Sequence, residues 1–433
     1  MTHPQLPPAD FTSGYVPRVI DDELDELLPQ LPAVLLDGPK AVGKTATASQ
    51  RARTVWRLDR PEEREIAEAD SELVLTGDRP VLIDEWQRVP AVWEAVRRAV
   101  DASPLGGQYL LTGSAPSGGT HSGAGRISAL RLRPLTLPER GVVRPSVSLR
   151  TLLAGEVAEV AGASAVRVAN YTDLILGSGF PGFQGLAGRA LTAQLDGYVD
   201  RIVDTDLEEA GLKVRRPTTV RAWLRAYAAA TATTSSWETI RNAATGGMHD
   251  KPARTTTLPY IDALTRLRIL DEVDPWLPGN NRFKRLAQAA KHHLADPALA
   301  CRLADVSRAD LLRGRGGAVA IPRNGTFLGA LFESLTALSV RVFAQAADAR
   351  VAHLRTRDGD HEVDLIVERN DGRVLAIETK LSATVSDRDV RHLRWLRNVI
   401  GDQLLDAAVV TTGSHAYRRS DGIAVLPLGV LGP

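Results

Sequence analysis

Apolar residues fall in short unbroken runs through the first third of the chain. AVLLDG (33–38), VLIDEWQ (81–87), GQYLLTGSA (107–115) and SALRLRPL (128–135) each read as a buried strand. Helical spacing lies between them. DDELDELL (21–28) puts its leucines on one face, GPKAVGKTATASQRAR runs from a loop into a helix, and AVWEAVRRAVD gathers Val92, Ala95, Val96 and Ala99 on one side. Strands that are apolar throughout, alternating with helices, predict a parallel sheet covered on both faces. PSGGTHSGAG is the punctuation of a loop between the third and fourth strands.

After Arg140 the spacing becomes helical, with the clearest stretches at Leu191 to Leu207 and Val220 to Thr231. SSWETIRNAAT, then TTTLPYIDALTRLRIL, then DEVDPW resemble a helix-turn-helix followed by a strand, with PGNNRFKR as a hairpin wing. From Thr326 the pattern changes again. A helix, FLGALFESLTALSVRVFAQA, precedes short strands joined at Asp371-Gly372, a strong hairpin signal. A helix rich in arginine (Val385 to Ile400) and the strand AAVVTT follow. The expected architecture is α/β in three parts. Residues 1–143 form a parallel-sheet P-loop domain, 144–325 a helical lid and winged-helix segment, and 326–433 a smaller α/β domain.

A chain of 433 residues is too long for one ordinary core. A formal charge of +1 excludes a polybasic nucleic-acid coat and leaves room only for a local patch, such as Arg254, Arg266, Arg268, Arg282, Lys284 and Arg285 in the winged-helix segment. Cys301 is the single cysteine, so no intrachain disulfide forms, and a buried thiol is expected there rather than a nucleophile. No apolar run approaches the ~18 residues of a membrane span, and MTHPQLPPADF lacks a signal-peptide pattern. A cytoplasmic protein without a membrane partner is expected. Lysine occurs only at Lys40, Lys44, Lys213, Lys251, Lys284, Lys291 and Lys380 among many arginines. Where lysine persists, its own chemistry is a candidate requirement. His292 and His293 lack the spaced partners of a metal site and read as packing or surface residues.

GPKAVGKT (38–45) fits G-x-x-x-x-G-K-[ST], follows an apolar strand and opens a helix. Gly38, Pro39, Lys40, Ala41, Val42, Gly43, Lys44, Thr45 and Ala46 are therefore the expected ATP cradle, with Lys44 on the β/γ-phosphates and Thr45 on Mg²⁺. Asp84 is placed to hold Mg²⁺, and Glu85 to act as general base on the attacking water. Thr112 and Ser114, at the end of the third strand, can sense the γ-phosphate. Arg126, just before the fourth, can serve a neighbouring subunit as a finger or can be an ordinary surface arginine.

GYVPR, LLDGPKAVGKT, VLIDEWQRVPAVWEAVRRAVD, YLLTGSA and GRISALRLRPLTLPE together resemble a family of prokaryotic AAA+ superfamily ATPases that carry a C-terminal domain of unknown function. GSGFPGF, YVDRIVDTDL and HHLADPAL resemble it too. The resemblance implies an AAA-type fold, a homo-oligomeric ring or partial ring, and Arg126 as finger or sensor. Trp86 departs from it, standing where an aliphatic residue is usual.

In the C-terminal strands Glu378 and Lys380 point together and so do Glu362 and Asp364, so the paired strands can gather three carboxylates and one ammonium. Carboxylates so gathered suit Mg²⁺, with Asp364 and Glu378 as ligands, and the lysine can orient water or offset charge at phosphate. The pattern resembles the PD-(D/E)XK nuclease superfamily, which implies a restriction-endonuclease-like fold and a further acid on the first helix, here Glu333. Arg388, Arg391, Arg394 and Trp395 can lie along a DNA or RNA backbone. A solvated amphipathic hairpin or a non-catalytic binding module is the alternative.

Overall fold

The computed structural model describes residues 14–113, 124–155, 159–244, 253–276, 289–323, 325–356 and 359–433. The N-terminal sheet holds β1 (Ala33–Asp37), β2 (Thr54–Arg57), β3 (Val81–Asp84), β4 (Tyr109–Thr112) and β5 (Ile127–Arg131). Their order is β2-β3-β4-β1-β5, every neighbour parallel. The strand TVWR (β2) and the helix Pro61–Ala69 after it are additional to the elements expected from the sequence. On β2 burial alternates between half-buried and exposed positions, so no continuous apolar run marks it.

Alternation along the strands sends side chains to two cores. Ala33, Val81, Ile83, Tyr109 and Leu111 pack with Trp86 of the turn after β3 and with Trp93 and Val96 of helix Ala91–Ala102. Val34, Leu36, Leu82 and Leu110 point the other way and merge with a core that runs from Ile20 to Leu431. Trp86 is buried and lies 4.5 Å, centroid to centroid, from Trp93, so the departure from an aliphatic residue serves packing.

The middle segment is mostly helical: Val168–Leu176, Gly188–Arg201, Pro217–Ala229, Trp237–Ala243, Arg254–Arg266 and Pro297–Ala304, with a π-helical stretch at Ile202–Asp206. It also supplies three two-residue strands, β6 (Val147–Ser148), β7 (Gly162–Ala163) and β8 (Pro275–Trp276). Between helices Arg254–Arg266 and Pro297–Ala304 the chain makes antiparallel bridges Leu270↔Leu294 and Val273↔Lys291. The expected wing PGNNRFKR lies outside the described residues.

Helix Phe327–Ala346 opens the C-terminal part, followed by β9 (Ala349–Arg355), β10 (Glu362–Arg369), β11 (Val374–Lys380), helix Arg391–Ile400, β12 (Leu404–Thr411), β13 (His415–Arg418), β14 (Ala424–Pro427) and β15 (Leu431–Gly432). Among the described residues eight strands form one mixed sheet in the order β7-β13-β14-β12-β11-β10-β9-β8. β7 and β8, from the middle segment, close its two edges, and β6 pairs with β15. The sheet thus crosses the expected boundary at 325/326. Helix Phe327–Ala346 corrects one expectation. It is 20 residues long with mean hydropathy 1.5, long and apolar enough to cross a membrane, yet 78% of that stretch is buried within the protein. Its apolar character is core packing against β9, β10 and β11.

Candidate functional site

The phosphate loop leaves β1 at Asp37 and enters helix Lys44–Ser49. Gly43 has φ +102°, a left-handed conformation that favours glycine, and a Cβ on Gly38 would stand 2.3 Å from the Leu132 carbonyl oxygen. Lys44 folds back into this loop. Its Nζ donates to Gly38 O at 2.8 Å and Pro39 O at 2.9 Å, and burial pushes its pKa down to about 8 although Glu85 and Asp37 oppose the shift. A buried ammonium facing neutral carbonyls is short of an anionic partner, which triphosphate oxygens would supply. Val42 is buried, while Ala41 and Ala46 are exposed at the rim. Lys40 turns away: its ammonium lies 2.6 Å from Asp206 Oδ1 and from Glu209 Oε2 of the helical segment. Its side chain therefore anchors the loop rather than facing into the cradle.

Parallel pairing lines up Leu36, Thr112 and Asp84 at the C-terminal edge of the sheet. Thr45 Oγ1 donates to Asp84 Oδ1 at 2.8 Å, and Thr112 Oγ1 donates to the same oxygen. A hydroxyl and a carboxylate side by side in front of a phosphate loop are the oxygen donors Mg²⁺ takes together with substrate phosphates. Glu85 has φ +56°, a left-handed conformation that costs a non-glycine residue energy, and Gln87 Nε2 donates to its Oε2 at 2.6 Å. The strain and the bond fix the carboxylate beside the loop. Ser114 lies outside the described residues. Arg126 sits at the N-terminal end of β5, at the opposite edge of the sheet from the loop, and pairs with Asp101 at 2.6 Å. Five residues of strand, roughly 15 Å, separate it from its own phosphate loop.

Several contacts around the loop had little signal in the sequence. Arg18 Nη1 donates to Val42 O at 3.0 Å while its Nε pairs with buried Glu139 at 3.0 Å, so the pre-helical GYVPR segment braces the loop. Tyr198 OH donates to Lys40 O at 3.1 Å. Asp37, immediately before the loop, pairs with Arg268 at 2.7 Å, and Asp271 receives Arg133 at 3.0 Å, Arg341 at 2.9 Å and Arg131 at 3.5 Å. These ion pairs join the first sheet, the middle segment and helix Phe327–Ala346.

The second cluster lies in the C-terminal domain. β10 and β11 run antiparallel with Leu365 opposite Ile377, which brings Asp364 close to Glu378 and lets Thr379 N donate to Asp364 Oδ2 at 2.8 Å. Helix Phe327–Ala346 adds Glu333 and β10 adds Glu362. Glu378 pairs with Lys380 at 2.9 Å. All five line a cavity of about 1200 Å³ rimmed by Arg323, Arg355, Arg388 and Arg391. Arg394 does not join them, because it is paired with Asp387 and Asp421 at 2.8 and 2.6 Å. Trp395 stacks on His361 at 3.9 Å, its ring taken up by that contact.

Asp364 and Glu378 are the expected metal ligands, and a lysine stands among the carboxylates around them. Among the described residues no group of three or more His, Cys, Asp or Glu is placed to hold a metal ion. Instead the buried ammonium of Lys291 lies 2.7 Å from Glu333, 3.1 Å from Asp364 and 3.2 Å from Glu362. Sequence reasoning missed Lys291, although the rule that flagged Lys44 and Lys380, a lysine persisting among arginines, applies equally to it.

Carboxylates crowded in a buried cluster repel one another, which favours the protonated form of some of them. Burial and then the Asp364 charge push Glu333 up to about 8, and the same two causes push Glu378 up to about 8. Asp364 goes the other way: against the cost of burial, Lys291 and Lys380 hold it below the ordinary range. Burial disfavours the Lys291 charge, yet Glu333, Asp364 and Glu362 hold its pKa well above the ordinary value. A carboxyl whose folded pKa is raised keeps a proton that the unfolded chain has lost. Its contribution is complete below about 4.5 and shrinks as pH rises to about 8. The thermal midpoint should therefore fall from pH 5 to 8, and Glu378→Gln should flatten that slope. An unchanged slope in the variant would remove Glu378 from the account.

His292 and His293 are both buried and serve packing. His292 bonds Glu272 and the Ser235 carbonyl, each at 2.7 Å, and lies against Trp237. Burial pushes His293 well below the ordinary value. Cys301 is buried, and burial pushes its thiol far up. Arg266 donates to Ala210 O at 3.2 Å and Arg268 pairs with Asp37, each keeping part of its surface exposed; Arg282, Lys284 and Arg285 lie outside the described residues.

Comparison with known proteins now fits onto this geometry. Residues 30–140 match the family described as AAA domain. With the parallel sheet and the phosphate loop, this makes the N-terminal part a P-loop, AAA-type ATPase domain. Residues 155–310 and 328–431 match two families described as domains of unknown function, DUF8612 and DUF4143. Uncharacterized proteins of Mycobacterium tuberculosis and Mycobacterium bovis are each 27% identical over 413 residues, covering 93% of this chain and 82% of theirs. Among solved structures, a Walker-type ATPase of Pyrococcus abyssi aligns with TM-score 0.39 and 18% identity, over 65% of this chain and 94% of that one.

Proposed function

We propose that the chain is an ATP-driven switch that binds and hydrolyses ATP with Mg²⁺ at the N-terminal loop and passes the change to a nuclease-like C-terminal domain. The Thr45–Asp84–Thr112 hydrogen-bonded set in front of Lys44 carries the reading. ATP with Mg²⁺ supplies the scissile anhydride and neutralises charge on it. Lys44 holds the β/γ oxygens, Thr45 and Asp84 hold the metal, and Thr112 keeps Asp84 oriented. Glu85 accepts the proton of the attacking water at its carboxylate, polarised in place by Gln87.

Arg126 has no access to its own phosphate loop and would complete a neighbour's site in a homo-oligomeric ring. Arg126→Ala should then lower turnover tenfold or more, on the order of a lost transition-state charge, only above the concentration at which the chain assembles. Sedimentation alongside the rate checks this, and full activity of a strictly monomeric chain rules it out.

The Asp37–Arg268 and Asp271 ion pairs give the switch its route to helix Phe327–Ala346. Helix, three antiparallel strands, helix, parallel strand is the order that supports a nuclease-like reading of residues 326–433, and the arginine-rimmed cavity suits a phosphate backbone. The helices and bridges of residues 217–294 support a winged-helix reading of the middle. Two experiments test the whole: phosphate release from ATP by the full chain, and metal-dependent cleavage of plasmid or branched DNA by wild type, Asp364→Ala and Lys44→Ala. Cleavage lost only in Asp364→Ala identifies a nuclease. Binding of DNA without cleavage identifies a binding module, the reading that Lys291 among the carboxylates favours.

A further inference from the structure

The cation at the centre of the C-terminal carboxylates comes from outside that domain. Lys291 lies between β8 and helix Pro297–Ala304, where its N–H donates to Val273 O at 2.9 Å and its carbonyl accepts from Val273 N at 3.0 Å. That double bond fixes the backbone from which the side chain enters. The ammonium is 1% exposed and meets Glu333 Oε1 at 2.7 Å, Asp364 Oδ1 at 3.1 Å and Glu362 Oε1 at 3.2 Å. Three carboxylate oxygens reach this one ammonium, and oxygens of that kind are the donors a hard divalent cation would take if the lysine were gone. A second observation shows that the cluster is built for more than internal pairing. Glu378 is 3% exposed and lines the same cavity, yet its Oε1 accepts no hydrogen bond from the described residues.

We propose that Lys291 is the resident cation of this site and keeps divalent metal out of it. The inference rests on the nuclease-like reading of the domain. Mg²⁺ and the ammonium compete for the same oxygens. Displacing Lys291 leaves a buried, unpaired ammonium whose backbone is pinned at Val273, and an unpaired charge in the interior is strongly unfavourable. The carboxylates then serve to hold the middle segment against the C-terminal sheet, and the cavity meets its ligand through Lys380 and the arginine rim without a metal.

Mn²⁺ binding to the nucleotide-free full chain, read by paramagnetic resonance, tests this. Wild type should bind no ion that Asp364→Asn removes. Lys291→Ala should gain one site that wild type lacks up to Mn²⁺ concentrations about tenfold higher, lost again on adding Asp364→Asn, and Mn²⁺ should raise the melting temperature of Lys291→Ala by an increment that Asp364→Asn abolishes. An ion in wild type that Asp364→Asn abolishes overturns the proposal and leaves the nuclease-like reading standing. Absence of any such ion from both wild type and Lys291→Ala overturns both. Should Lys291→Ala fail to fold, acylation of wild-type amines decides. Lys291 should stay unmodified with and without excess Mn²⁺, and modification that rises with Mn²⁺ overturns the proposal.

Discussion

Lys44→Ala should reduce phosphate release from ATP by about 10²–10³-fold, the loss expected when one preorganised charge is removed from a phosphoryl-transfer site. The ammonium is buried against Gly38 and Pro39 carbonyls, with no carboxylate of the described residues at hydrogen-bond distance, so the triphosphate would be its favourable partner. Affinity for a fluorescent nucleotide should fall as well, because the contact exists in the ground state. Glu85→Gln should behave differently. Its amide keeps the shape held by the left-handed backbone but cannot accept a proton, so nucleotide stays bound while turnover drops by about 10²–10⁴-fold. The pair of variants separates binding from chemistry. Wild-type turnover in Glu85→Gln would transfer the base to another residue.

Asp271→Asn should be the most damaging single change to stability. The carboxylate is buried between Arg133, Arg341 and Arg131, and replacing it leaves three guanidiniums without their common anion. Breaking a buried pair from one side costs about 3–5 kcal/mol, enough to read in a urea titration. The sign of its pH dependence sets it apart from the C-terminal carboxyls. Burial alone would raise its pKa, but the three arginines hold it far below the ordinary carboxylate range. A depressed pKa gives stability that is complete above the unfolded value and lost only in acid. The Asp271→Asn loss should therefore be the same at pH 6 and pH 8, while the Glu378→Gln effect changes over that interval. Because Arg341 belongs to the long C-terminal helix and Arg131 to the first sheet, the variant should also uncouple nucleotide binding from amide-exchange protection of Phe327–Ala346. Unchanged coupling would remove this cluster from the route of the switch.

The local patterns of the chain determined the first site. A glycine-spaced anion loop after an apolar run and two acids at a strand end are contiguous signals, and short-range geometry places them: Gly43 for the left-handed turn, Lys44 at the helix start, Asp84 at the end of β3. The C-terminal hairpin was equally legible, since alternation and the Asp371-Gly372 turn fix which carboxylates share a face. The edge strand β2 was not, because a strand buried on alternate positions at moderate depth carries a weak apolar signal.

What only the tertiary structure decided lies in pairs far apart in the chain. Lys40 meets Asp206, Asp37 meets Arg268, Arg341 meets Asp271, and Lys291 enters the carboxylates of Glu333 and Asp364. No period or spacing encodes these contacts. They exist because burial brings charges together from separate elements and each must find an opposite partner once water is gone. The sequence thus determined which groups could carry chemistry, and the packing decided which of them face a ligand and which are already answered from within the protein.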